Sequence, residues 1–168
     1  MRVVAIVQPQ MEVALAAIDE RLEELVAMRQ AVARLFAEVV ANCSWLVPQR
    51  VPADCEHSYW SYAVRITDDA VDWAELRRTF VELGGDGFYA AWLPVNREPV
   101  FASLYEAVEA APERYPHFAG RLPDYRQSLC PVWERMQPRV LHLKTNYFDL
   151  DTARRQADLF DRAIRRLA

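Results

Sequence analysis

The chain has 168 residues, 52% of them hydrophobic, and its 20 basic and 24 acidic residues give a formal net charge of −4 at pH 7. That is enough for one apolar core and too little for two ordinary domains, so the span 1–168 is expected to fold as a single domain. The acidic balance argues against nucleic acid as a partner, because phosphate binding favours a basic face.

The opening MRVVAIVQPQM has an apolar run shorter than the core of an export signal, and it lacks a small-residue cleavage site. No stretch approaches the roughly 18 uncharged apolar residues of a membrane span. A cytoplasmic protein that contacts no membrane is therefore expected. The MRVVAIV stretch either adds a short strand or stands in place of upstream chain. From Met11 to about Asn42, apolar residues recur at spacings of three, four and seven (Met11, Leu15, Ile18, Leu22, Leu25, Val32, Leu35, Phe36, Val39), which predicts a long amphipathic helix. Gln8-Pro9-Gln10 suits its start, and NCSW followed by Pro48 ends it. Such length leaves part of the stripe to meet either the chain's own core or another domain or chain.

The segment His57–Ile66, HSYWSYAVRI, is aromatic and β-branched and reads as a strand. Next, TDDAVDWAELRRTFVEL has early acids, apolar residues at helical spacing and a glycine stop, so a second helix is expected. GFYAAWLPV reads as another strand, which completes a β-α-β order. Residues 97–127 carry prolines and no sustained period, and are expected to be mostly loop with a short helix at Phe101–Ala110. VWERMQ reads as one or two helical turns, RVLHLKTN as a short strand, and Asp151–Ala168 as a final helix with Ala153, Ala157, Phe160, Ile164 and Leu167 on one face. The fold class that follows is α+β: a small antiparallel or mixed sheet, with a long N-terminal helix and a C-terminal helix.

Cys43, Cys55 and Cys130 are odd in number, and their spacing fits neither a metal knuckle nor a disulfide framework. All three are read as reduced, buried thiols, and no metal site is expected. His57 suits a structural or a ligand-binding role equally, and His142 inside a strand reads as structural. His117, in the loop RYPHFAG, is a candidate substrate contact, because loops carry recognition residues, although solvent exposure explains it as well. GGDG at Gly84–Gly87 lacks the phosphate-loop patterns and reads as a helix C-cap and tight turn. The aromatic residues of HSYWSY and GFYAAW suit either core packing or stacking on a sugar or base. Lys144, the single lysine, reads as a surface residue near a strand end.

Four segments together resemble one known family: QMEVALAAIDERLEELVAMRQAVARLF, WLVPQRVPADCEHSYWSYAVRI, FVELGGDGFYAAWLPVNREPVF and CPVWERMQPRVLHLKTNY. The family is that of the PLP-dependent sugar-nucleotide aminotransferases of the DegT/StrS type, in its perosamine-synthase-like branch. The likeness runs from about Gln8 to the C-terminus and corresponds to the C-terminal small domain of these fold-type I enzymes. The resemblance implies that the catalytic lysine and most of the PLP pocket, which the family keeps in a large N-terminal domain, are absent from this chain. No catalytic residue is assigned, and PLP is expected in the intact family but not on this chain alone. Gln8 corresponds to an asparagine that reaches the cofactor phosphate of the partner subunit in a homodimer, while Gln10 stands where the family has an arginine. His57, Tyr89 and Trp92 are implied as contacts to a nucleotide-linked sugar. The chain is thus expected to supply one wall of the substrate site of an amino-sugar biosynthetic enzyme, with a separately encoded large domain or a second copy as partner. The alternatives are a non-catalytic interaction or dimerisation protein, or an inactive fragment of such an enzyme.

Overall fold

A computed structural model describes residues 4–167, with side chains from Glu12 onward apart from those of Ala14 and Ala17. Helix α1 (Val4–Ala41) leads to strands β1 (Leu46–Pro48) and β2 (Ser61–Ile66), helix α2 (Trp73–Glu82) and strand β3 (Tyr89–Ala90). Helices α3 (Pro99–Ala110) and α4 (Pro131–Met136), strand β4 (Val140–Lys144) and helix α5 (Leu150–Leu167) complete it. The four strands form one sheet in the order β1-β2-β4-β3, and every pairing is antiparallel. Because β2 and β3 both run antiparallel to β4, they are parallel to each other, with β4 inserted between them. The α+β class with a long N-terminal and a C-terminal helix is the observed architecture.

Alternation along the strands sends one face inward. Tyr62, Val64 and Ile66 of β2 and Leu141 and Leu143 of β4 are buried, and they form one core with Val32, Phe36 and Val40 of α1, Leu76 and Phe80 of α2, and the inner face of α5. On α5, Ala153, Ala157 and Ala163 bring the helix backbone close, and Phe160 fills the space between them. The Phe160 ring meets Phe36, Phe80 and Phe88 edge-on at centroid distances of 6.1, 5.6 and 6.1 Å, a geometry favoured by aromatic quadrupoles. On the opposite face of the sheet Ser61, Ala63, Val140, His142 and Lys144 are only partly buried. No helix among the described residues is long and apolar enough to cross a membrane.

Several sequence expectations shift. Helix α1 begins at Val4, not Met11, and its backbone stays helical through Pro9. The proline lacks an N–H and removes one ladder bond without ending the helix. Residues 4–7 are therefore helical and add no strand; Met1–Val3 lie outside the described residues. The apolar stripe of α1 divides. Val32 and Phe36 are in the core, whereas Leu15, Ile18, Leu22 and Leu25 are each about half exposed. Strand β2 starts at Ser61, four residues later than expected. Tyr59 has a φ of 49° and its N–H is bound by the His57 ring, so the chain before Ser61 cannot pleat. Strand β3 contracts to two residues at the sheet edge, and Leu46–Pro48 forms a strand that periodicity over so short a run does not reveal. Cys43 is buried, but Cys55 and Cys130 are exposed, correcting the expectation of three buried thiols. Both sit in irregular segments outside the core, Cys55 in the stretch before Tyr59 and Cys130 just ahead of α4.

Helix α2 is closed at both ends by its own sequence. Asp72 Oδ1 accepts the Ala74 N–H at 3.0 Å, and at the far end Gly84 and Gly85 donate to Val81 O and Phe80 O. Those two bonds are the Schellman pattern, and Gly84 takes the left-handed conformation it requires, with φ 99°. Asp72→Ala is expected to cost about 1 kcal/mol of stability, read from the urea midpoint, as for other lost N-caps.

Candidate functional site

On the open face of the sheet lies a cleft of about 430 Å³, lined by Arg29, Trp60, Ser61, Tyr89, Ala90, Trp92, His142, Leu143, Lys144 and Asn146. Strand register assembles it. In the ladder Ser61 faces Lys144, Ala63 faces His142, and Tyr89 faces His142 across β4, so residues from three segments converge on one surface. Trp60 precedes β2 and Trp92 follows β3, and their rings meet at 5.8 Å with a 43° tilt. Trp92 in turn stacks over the His142 imidazole at 6.4 Å and 21°. Trp60, Tyr89 and Trp92 remain 65%, 62% and 73% exposed. Three large aromatic side chains held on one wall and left open to water mark a contact surface more than a core.

Polar groups frame this wall. Ser61 Oγ and His142 Nδ1 are hydrogen-bonded at 3.0 Å, and burial pushes the His142 imidazole below its ordinary value of 6.5, which leaves it neutral at pH 7. Arg29 reaches over from α1. Its Nη1 donates to the Trp60 carbonyl at 2.8 Å and to Thr145 Oγ1 at 3.2 Å, and Thr145, fully buried, donates to the Tyr59 carbonyl. These bonds tie α1, the start of β2 and the end of β4 to one another. Lys144 Nζ lies 3.3 Å from Asp86 Oδ2 and 5.9 Å from the centre of the Tyr89 ring. The Tyr147 hydroxyl donates to the Asp86 carboxylate, 3.0 Å from either oxygen. Burial first, and the Asp86 charge second, push Tyr147 well above its ordinary range, so it keeps the proton it donates. Asp86 is carried by the turn that the glycines of GGDG make, with Gly87 at φ 82°. The sequence's capping motif thus also places a carboxylate beside the cleft.

Of the residues nominated from the sequence, Tyr89 and Trp92 line this cleft. His57 stands apart, in a separate groove with Gln30, Arg34, Val51 and Glu56. There its Nδ1 accepts the Tyr59 N–H at 2.8 Å and its ring packs on the Tyr59 ring at 4.4 Å. His117 is exposed in the turn that follows Tyr115 and is not among the residues lining the cleft. The Gln8 backbone is part of α1, but its side chain lies outside the described residues. Trp60, His142, Lys144 and Arg29 were not nominated. The period-2 pattern of RVLHLK does put His142 and Lys144 on the same polar face, a signal that was available; Arg29 and Thr145, 116 residues apart, share no local pattern.

No family model matches the chain, and no curated protein matches it. Among solved structures, the chain is similar to 3-amino-5-hydroxybenzoic acid (AHBA) synthase, with a TM-score of 0.57 and 18% sequence identity over 88% of this chain. The match covers 36% of that protein, so the chain spans about a third of its length. At this identity the likeness is one of fold.

Proposed function

We propose that this chain contributes one wall of the substrate site in a PLP-dependent sugar-nucleotide aminotransferase of the DegT/StrS type, with the open sheet face as the surface that meets the nucleotide-linked sugar. The observation that carries this reading is the exposed aromatic wall of Trp60, Tyr89 and Trp92 beside Arg29 and Lys144, on a fold shared with part of AHBA synthase. Flat apolar rings suit the face of a base or sugar, and adjacent cations suit phosphate.

The cleft does not fit the cofactor itself. Among the described residues no carboxylate lines the cleft to meet a pyridine nitrogen. Of the two hydroxyls that line it, on Ser61 and Tyr89, the serine's is bonded to His142. On this reading the amine and the PLP pocket lie outside these 168 residues, on a large domain or a partner subunit, and the chain's own residues bind and orient the substrate.

Titration of the chain with dTDP-, UDP- and GDP-hexoses, followed by calorimetry and tryptophan fluorescence, tests the reading. At least one is expected to bind with fluorescence quenching, and Trp92→Ala is expected to weaken it about 10-fold or more, as when one stacked aromatic is removed. Heat-silent titrations with all three would sink the proposal. A second reading, as an interaction module, is favoured by the half-exposed Leu15, Ile18, Leu22 and Leu25 on α1. Sedimentation equilibrium beside the titrations separates the two, since the interaction module is oligomeric and binds none of the three nucleotide-hexoses.

A further inference from the structure

Lys144 is the single lysine among twenty basic residues, and its charge is loosely held. Its Nζ is 3.3 Å from both Asp86 Oδ2 and the Asp86 carbonyl, long for a charge-assisted hydrogen bond. Asp86 is secured without it: the Tyr147 hydroxyl donates to the carboxylate, and the Asp86 N–H donates to Gln156 Oε1 at 2.9 Å. The acid is also 34% exposed, so departure of the lysine does not strand a buried charge.

The cleft lining contains two cations, Arg29 and Lys144, and no carboxylate among the described residues, on a chain whose net charge is −4. Arg29 is fixed by the Trp60 carbonyl and the Thr145 hydroxyl. Lys144 is the cation on a flexible four-carbon stem, able to turn from one anion to another. We propose that Lys144 is the charge-selecting residue of this cleft, leaving Asp86 for an anionic group on a ring-bearing ligand, so that Asp86 acts as the competitor any incoming anion must displace. This inference rests on the cleft being a ligand site, as proposed above.

The arrangement gives the two neighbours opposite signs. Lys144→Gln removes the attraction, whereas Asp86→Asn removes the competitor and keeps a side chain of the same shape for Tyr147. A merely structural ion pair would make both changes harmful alike.

The test is calorimetry on the full chain with thymidine and with thymidine diphosphate, which share a ring and differ in charge, with circular dichroism on each variant to confirm folding. Thymidine diphosphate is expected to bind about 10-fold more tightly than thymidine, a preference lost in Lys144→Gln, as for one charge-assisted contact. Asp86→Asn is expected to tighten the diphosphate roughly 3-fold and leave thymidine unchanged. Equal affinity of the two probes for the unmodified chain, or weaker diphosphate binding in folded Asp86→Asn, overturns the inference while the ligand site stands. Binding of neither probe overturns this inference, while the three nucleotide-hexose titrations decide separately whether the ligand-site reading stands.

Discussion

Phe160→Ala is expected to lower the unfolding free energy by about 3–5 kcal/mol, in the range for large aromatic truncations in a core. The ring is fully buried and touches Phe36 of α1, Phe80 of α2 and Phe88 just before β3, so it joins three elements that are distant in sequence. Its removal leaves a void whose walls are other rings, each already locked by neighbours, so collapse into the space is limited. Since small domains have only about 5–15 kcal/mol of stability in total, the variant should be close to unfolding at physiological temperature. Urea denaturation monitored by circular dichroism reads the loss directly. Phe148→Ala is the control: that side chain is 98% exposed, and its removal should change stability by less than about 0.5 kcal/mol. Equal effects from the two substitutions would mean that α5 does not close the core in this manner.

Gly85→Ala is expected to be the most damaging change in the GGDG turn. A Cβ built on Gly85 would clash with Cε2 and Cδ2 of the Phe80 ring, which is 1% exposed and held between Phe88 and Phe160. The ring has nowhere to go, and overpacking of that kind costs about 1–3 kcal/mol or more. Gly84→Ala presents the contrasting case. Its Cβ meets nothing within 4 Å, but its φ of 99° is left-handed, so the cost is backbone strain of about 1 kcal/mol. The urea midpoints should therefore rank unmodified chain, Gly84→Ala, Gly85→Ala. Gly85→Ala also reaches the cleft, because Asp86 follows directly and holds both Lys144 and Tyr147. A shifted turn that carries Asp86 away from Lys144 is expected to raise the charge preference of the cleft while stability falls.

Much of the fold was legible in local pattern. The apolar face of α5, the cap and glycine stop of α2, and the strand RVLHLK are each written within a dozen or so residues, at the spacing their own geometry imposes. Boundaries failed where a local bond overrode propensity. The aromatic run beginning at His57 looks extended, yet the His57 ring binds the Tyr59 N–H and delays β2 to Ser61. Helix α1 runs past its expected start for the opposite reason, since a proline six residues into a helix weakens it without stopping it.

Tyr89 and Trp92 are implied as contacts by the resemblance of their segment to the aminotransferase family, whereas the aromatic pattern alone suits core packing as well as stacking. Trp60, His142, Lys144 and Arg29 join them only because β4 enters between β2 and β3, after an excursion from Ala91 to Arg139 that carries α3 and α4. By itself the sequence determined which residues of each element are apolar, where α2 stops and that the chain makes an α+β fold, because these follow from period, capping and steric preference within one segment. The tertiary structure alone decided which strands are neighbours, which face of the sheet stays open and which of its polar residues meet there. Those depend on hydrogen bonds and packing between segments far apart in the chain, and periodicity within a segment does not say what will cover it.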